Sequence, residues 1–503
     1  MNDSFWIEET KKTNYPSVKN DFDIDTLIIG GGICGLSTAY YLSKTRTDFC
    51  LVEAHLIAHG ASGRSSGKIT SQHGAIYQDL IKHQGIAKAA LYYQSHEEGL
   101  QSIADIVKEN KIDCDFNIID SVLYADQETS IPTLQEEYQA CLDLAIPCTY
   151  LNKCDTPFPN FGGIIFHNQA QFQPVKYLQG LGEIINKKAP IYENSSVSKI
   201  LKEDHYYLVT INSYQIKTNR IIFATQFPFI DEGNFFFTRV YPQSSFILSA
   251  LTKKTLKQQY INIEEKVHSY RSYQDHLIVG GLNKKVGKFK EAELTKFKQQ
   301  TIQTLQLDQD ILLWYSQDMM SFDSIALIGK LNKNDDSMLL ATGFSKWGNT
   351  TGTIAGKILC AYLNNETSPY QELYDPHRLS NLFSIAYIKE NSLVLYDYLK
   401  SKLTKTSEEW PALNEAKVMT IDSHKYGAYQ DETRLYLVDI TCPHLGCTLS
   451  FQSESKLWCC PCHGSCFHVD GSIAKGPANA KLNFYGEGLN KIDPHIFKET
   501  TNK

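Results

Sequence analysis

The sequence predicts an α/β nucleotide-binding domain interrupted by an antiparallel sheet and followed by a C-terminal all-β module. Three observations carry that prediction: a glycine-rich turn between a strand-like and a helix-like run near the start, a block of strand-like runs between 231 and 322, and paired Cys and His residues in the last fifth of the 503-residue chain. With 42% hydrophobic residues the chain can fill two or three full cores.

Residues 1–22 read as an N-terminal extension, and residues 1–10 lack the basic and apolar blocks of a signal peptide. The run Thr26-Leu27-Ile28-Ile29 then reads as a buried strand entering Gly30-Gly31-Gly32-Ile33-Cys34-Gly35, which meets G-x-G-x-x-G through Gly30, Gly32 and Gly35. Leu36, Ala39, Tyr40 and Leu42 recur at helical spacing, and a second strand, Phe49-Cys50-Leu51-Val52, ends in Glu53. Such a Rossmann-like unit lets the backbone approach a pyrophosphate at a helix N-terminus while the acid accepts from a ribose hydroxyl. No second glycine fingerprint for a nicotinamide nucleotide follows; Gly280-Gly281 lies within a strand-like run and reads as a close backbone approach.

Further along, Gly60 to Lys68 is rich in small residues and contains Ser62, Arg64, Ser66 and Gly67. The strand-like Arg220-Ile221-Ile222-Phe223-Ala224 ends at Thr225, and the loop Gly343-Phe344-Ser345-Lys346-Trp347-Gly348-Asn349-Thr350-Thr351 leads into an apolar helix over 354–363. From 6 to about 376 these segments together resemble the D-amino-acid oxidase and glycine oxidase superfamily of flavoproteins. The resemblance implies FAD, with Gly30, Gly32, Gly35 and Glu53 on its ADP part, Ser62, Arg64, Ser66, Gly67 and Lys68 along the pyrophosphate and flavin, and Val197 at the adenine. Thr225 would close the strand beside them. Gly343, Trp347, Gly348 and Thr351 would lie by the isoalloxazine, where a helix N-terminus favours negative charge. Arg64 stands where histidyl-linked members carry His, and 318–345 lacks the Cys of cysteinyl-linked ones, so the expectation is non-covalent FAD.

The inserted sheet is expected from Phe235-Phe236-Phe237-Thr238-Arg239-Val240, 244–250, 267–273 and 276–282. The resulting division is 23–230 with 323–375 for FAD, 231–322 with parts of 75–190 for substrate, a helical connector over 376–410, and a final module over 411–503. In the connector the apolar spacing predicts helix over 379–403, with a break expected near Asn391-Ser392.

Six of the thirteen Cys lie between Cys442 and Cys466 inclusive. The C-x-H pair Cys442/His444 and the C-x-x-H pair Cys460/His463 are separated by fifteen intervening residues, which fits a two-iron, two-sulfur centre with two Cys and two His ligands. The same four side chains would also hold a tetrahedral zinc, and Cys459-x-x-Cys462 alone has the spacing of a redox pair. Over 417–477 the sequence resembles the Rieske family, including the Gly476-Pro477-Ala478 loop that closes over the cluster there. That resemblance implies Cys442, His444, Cys460 and His463 as ligands of a [2Fe-2S] cluster and a disulfide between Cys447 and Cys462. Phe467 stands where high-potential members carry Tyr, which implies a potential in the middle or lower part of a span of about −150 to +300 mV. Cys459 and Cys466 read as small packed hydrophobes.

Taken together, the two resemblances imply a fusion whose FAD accepts a hydride from an amine or amino acid and whose cluster hands electrons to a one-electron carrier such as a ferredoxin or cytochrome. Flow in the reverse direction uses the same parts, and a redox carrier or sensor without a substrate would keep both cofactors. A Rieske oxygenase would need a further mononuclear iron site, and only 37 residues follow Cys466. His73, Lys68, Arg271 and Trp347 are the catalytic candidates; His73 reads equally as a structural His, and Arg271 equally as part of a surface pair. A net charge of −7 without a long basic run argues against nucleic acid, and no apolar run is long enough for a membrane span, so the expected location is cytoplasmic.

Overall fold

The apolar end of the first strand, Phe22–Ile29, lies between parallel neighbours, Tyr214–Phe223 and Phe49–Val52, and is buried on both faces, Ile28 in one core cluster and Leu27 and Ile29 in another. The structure, a computed structural model, describes residues 3–229, 236–253, 255–286, 291–307, 311–382, 385–403, 406–421, 423–444, 446–453, 455–462, 464–476, 478 and 480–485. The chain divides into two compact units, Met1–Lys284 with Lys290–Tyr387, and Lys285–Phe289 with Ile388–Lys503.

In the first unit one sheet runs in the order Val197–Lys202, Tyr207–Ile211, Tyr214–Phe223, Phe22–Ile29, Phe49–Val52, Ile191–Tyr192, and Asp335–Thr342 joins in parallel at the end of Tyr214–Phe223. Helices Ile33–Leu42, Pro174–Asn186 and Gly348–Leu363 are among those that cover it, and their apolar faces share one core with Leu51, Ile57 and Ile328. The second sheet has eight strands, in the order Ile311–Ser321, Val240–Leu251, His276–Lys285, Ser269–Tyr273, Gln259–Asn262, Ser121–Tyr124, Gly163–Phe166, Cys148–Leu151. Its Gln259–Asn262 pairs in parallel with Ser121–Tyr124, and every other pairing with a described register is antiparallel. This is the α/β nucleotide-binding fold with an inserted, largely antiparallel sheet.

Three local expectations change. Phe236–Thr238 forms a 3-10 turn and the strand begins only at Val240; Phe235 lies outside the described residues. The helix Ile385–Lys402 runs through Asn391-Ser392 without a break. The N-terminal segment is part of the core: Phe5, Trp6 and Ile7 are buried, and the Trp6 indole donates to the Ser65 carbonyl at 2.7 Å. Only a folded partner 59 residues away reveals that anchoring, which explains why residues 1–22 read as an extension.

The second unit holds two small sheets. Ala416–Ile421, His424–Gln430 and Leu435–Asp439 form one, and Ser450–Gln452, Leu457–Cys459, Cys466–Phe467 and Ile473–Lys475 form the other. Trp458 and Phe467, directly opposite one another, bury between them with Val438, Ile440 and Leu449. Among the described residues no helix is long and apolar enough to cross a membrane.

Candidate functional site

At the glycine turn, the helix Ile33–Leu42 starts from Gly32, which offers no capping side chain, so the first turn depends on groups from elsewhere. Ser62 supplies one: its Oγ accepts from Ile33 N at 3.0 Å. Gly35 is required by contact, since a Cβ there would lie 1.9 Å from the Gly30 carbonyl oxygen. The Glu53 carboxylate is held in place by Gly31 N at 2.7 Å and His55 N at 2.9 Å. Val197 opens its strand as a buried residue, and the Thr225 hydroxyl donates to the Phe227 carbonyl at 2.7 Å.

The loop 62–68 continues this cradle. Arg64 pairs with Asp3 at 2.5 Å, so its charge is directed at the N-terminal segment, and its carbonyl accepts from the Trp314 indole at 3.0 Å. Ser66 is half-buried, and the Gly67 carbonyl accepts from Arg271 Nη1. Lys68 donates through Nζ to the Tyr260 carbonyl at 2.7 Å, and burial, aided by the Arg271 charge, lowers its pKa to about 7. Its own carbonyl accepts from Asn349 Nδ2 at 2.7 Å, which ties this loop to the start of the helix Gly348–Leu363. Thr351 Oγ1 closes that helix start on the Trp347 carbonyl at 2.8 Å, and Gly343 opens the preceding loop with φ 73°.

Two catalytic candidates are held by contacts within the fold. His73 matches its structural reading: it is buried, its Nδ1 meets the Tyr92 hydroxyl at 2.8 Å and its Nε2 meets the Thr70 carbonyl at 2.7 Å. Burial and the neighbouring His96 push its pKa well down, so the ring is neutral and stacks on Trp347 at 4.3 Å. Arg271 is no surface residue but fully buried, with Nη1 on the carbonyls of Gly67 and Phe172 and its guanidinium 5.0 Å from the Trp6 ring. Those partners assign it to the 62–68 loop. Sequence reasoning missed Lys346, half-buried with φ 74°, whose ammonium burial pulls down to about 8; its left-handed turn and its burial exist only in the fold, so the sequence held no signal for it.

These residues fit FAD by an observation beyond the motif. Among the described residues, Arg271 Nε and Nη2 are buried without a hydrogen-bond partner. Buried guanidinium donors left unpaired cost several kcal/mol, so an acceptor group is needed beside the 62–68 loop. A flavin with its carbonyls and phosphates supplies such acceptors.

In the second unit the two ligand loops are built alike. Cys442 N donates to Cys447 O at 2.8 Å and Gly446 N to Cys442 O at 2.8 Å; Cys460 N donates to Ser465 O at 2.7 Å and Gly464 N to Cys460 O at 3.1 Å. Gly446 and Gly464 take φ 74° and 79°, which the turn requires and which glycine adopts without strain. Cys442 and Cys460 are 2% and 1% exposed, and burial lowers the His444 pKa to about 4, leaving the neutral imidazole that metal ligation needs. The sulfurs of Cys447, Cys460 and Cys462 lie within 4.8 Å of one another. His463 and Pro477 lie outside the described residues, while Ala478 N donates to Ser465 Oγ at 3.0 Å, so that loop is fastened to the second ligand loop. The donor set of buried thiols and a neutral imidazole fits an iron–sulfur cluster.

The disulfide Cys447–Cys462 links the two loops. A second, Cys459–Cys466, corrects the reading of those residues as packed hydrophobes: they are register partners on adjacent antiparallel strands, where opposite side chains share one face.

The comparisons agree with both cradles. The model of the FAD dependent oxidoreductase family matches residues 25–362, and that of the Rieske [2Fe-2S] domain matches 403–486. The chain belongs to the FAD dependent oxidoreductase family and carries a C-terminal Rieske domain; its cofactors are FAD and a [2Fe-2S] cluster. The Bacillus subtilis (strain 168) protein YhfW, named as a Rieske 2Fe-2S iron-sulfur protein, is 32% identical over 488 residues, covering 95% of this chain and 96% of its own. Gamma-glutamylputrescine oxidoreductase of Escherichia coli (strain K12) is 28% identical over 127 residues, 25% of this chain and 30% of its own. The glycine oxidase of Geobacillus kaustophilus shares the fold with TM-score 0.61 and 13% identity, covering 71% of this chain and 99% of that one.

Proposed function

We propose that this enzyme dehydrogenates an amine or amino acid and delivers the electrons to an external one-electron acceptor such as a ferredoxin or cytochrome. The observation that carries the reading is that one chain builds both cradles: the glycine turn backed by the unpaired Arg271 donors, and the twin cysteine loops. Bound there, FAD supplies two-electron acceptance from a C–H bond with one-electron release, and the cluster supplies single-electron transfer.

The chain's own groups account for the rest. Gly30, Gly32, Gly35, Glu53, Ser62, Ser66, Gly67, Val197 and Thr225 would hold FAD, with Gly343, Trp347, Gly348 and Thr351 at its ring end; Cys442, His444, Cys460 and His463 would hold the cluster. An amine yields hydride only as the free base, so the bound ammonium must first lose a proton. Lys68, with its pKa brought to about 7, is neutral above that pH and can take it. Trp347, braced by His73, gives that region a rigid aromatic wall. The names of the Escherichia coli relative and of the glycine oxidase support amine and amino-acid chemistry.

An anaerobic screen of amines, amino acids and betaines, read by bleaching of the flavin absorbance, tests the reading. At least one of these classes should bleach the flavin. No bleaching by any of them, with bleaching by reduced ferredoxin, would contradict it and favour reverse flow.

A further inference from the structure

Five backbone carbonyls of the loop 62–68 are held by side chains from outside it. Ser4 Oγ donates to the Gly63 carbonyl, Trp314 Nε1 to that of Arg64 at 3.0 Å, Trp6 Nε1 to that of Ser65 at 2.7 Å, Arg271 Nη1 to that of Gly67, and Asn349 Nδ2 to that of Lys68 at 2.7 Å. A trans peptide points its C=O and the following N–H in opposite directions, so fixing a carbonyl also aims the next amide. Across the 65–66 peptide that amide is Ser66 N–H, which has no acceptor among the described residues.

The donor that fixes this peptide is itself locked. Trp6 is fully buried, and its ring meets that of Tyr273 edge-on at 4.9 Å. Its carbonyl accepts from Thr10 Oγ1 at 2.6 Å and from Gln173 Nε2 at 3.1 Å. The other end of the same Gln173 amide caps the helix Pro174–Asn186, which ties Trp6 to an element that covers the nucleotide-binding sheet. Two of the five donors thus lie in residues 4–6, ahead of the first strand of that sheet.

We propose that Trp6 is a positioning residue for FAD: its indole N–H turns the 65–66 peptide so that Ser66 N–H faces the cofactor, and together with Ser4 it clasps the loop around it. The proposal rests on the assignment of the 62–68 loop to FAD. Phosphate and flavin carbonyl oxygens accept hydrogen bonds, so an amide turned toward them attracts, whereas the reversed peptide would set the Ser65 carbonyl against them. Trp6 acts only through that carbonyl.

Holoprotein is diluted and FAD release is followed by the rise of its fluorescence, in wild type, in Trp6→Phe, and with 3-benzothienylalanine in place of Trp6. That isostere keeps the shape of the indole and carries sulfur where the N–H stands, so packing is preserved and the donor alone is lost. Both variants should release FAD about tenfold faster, as loss of one hydrogen bond to a buried carbonyl implies. Cluster circular dichroism and full recovery of flavin absorbance in excess FAD confirm that each is folded. Gly67→Ala tests the loop assignment separately, since its Cβ would lie 2.6 Å from Arg271 Nη1 and 2.7 Å from the Phe172 carbonyl oxygen and so must displace the loop; it too should release FAD faster. Wild-type release from the isostere beside fast release from Gly67→Ala would overturn the role of Trp6 and leave the loop assignment standing, even if Trp6→Phe is fast, because the effect is then one of packing. Wild-type release from Gly67→Ala would overturn the assignment and the proposal with it.

Discussion

Lys68 shows how burial converts an ordinary side chain into a chemical group. An exposed lysine stays charged to about pH 10.4, whereas here loss of water and the nearby Arg271 bring the value to about 7. A lysine is neutral above its pKa, so kcat/KM for amine oxidation should rise with pH through about 7 and then level. Lys68→Met should lower it about 100-fold and remove that step from the pH–rate profile; an unchanged profile would exclude Lys68 as the proton acceptor. The glycines, Glu53 and the loop 62–68 could be picked out as candidates from the sequence because each motif lies within a short stretch of chain. The place of Arg271 could not, since its partner Gly67 lies 204 residues away and only the folded sheet unites them. His73 had the residue type of a base, but the groups that occupy both its nitrogens come from Thr70 and from Tyr92 on a separate helix.

At the level of elements, the cluster module rests on two turns with the same hydrogen-bond pattern and a disulfide at the foot of one of them. Cys460→Ser should abolish the visible circular dichroism and iron content of the cluster while sparing flavin absorbance; full iron occupancy would refute the ligand assignment. Cys459 and Cys466 enclose the second loop, so replacing both with Ala should cost the module about 2.5 kcal/mol by the chain-entropy relation for so short a loop. Urea unfolding followed by cluster absorbance measures it, and an unchanged midpoint would mean the bond is incidental. Cys442, His444 and Cys460 could be proposed as ligands from spacing alone because the motif is local. The 459–466 pairing could not, because it follows from the register of Leu457–Cys459 against Cys466–Phe467. Likewise the aromatic run at 236–238 has strand-forming residues yet forms a turn, since tertiary packing overrides β-propensity.

For the whole molecule, the sequence pattern anticipated the fold class and both cofactors, because each depends on a motif bounded by regular elements. The burial of residues 5–7 was hidden, because an isolated short apolar run looks the same whether or not a partner exists. Function at this scale requires that electrons accepted at FAD reach the cluster of the same chain. Anaerobic reduction of the holoprotein by the best substrate of the screen, followed in parallel by flavin absorbance and low-temperature EPR, measures that transfer most directly. A Rieske-type EPR signal growing with flavin bleaching, independent of protein concentration, is the predicted result; a fully bleached flavin beside a cluster that stays oxidised would contradict it.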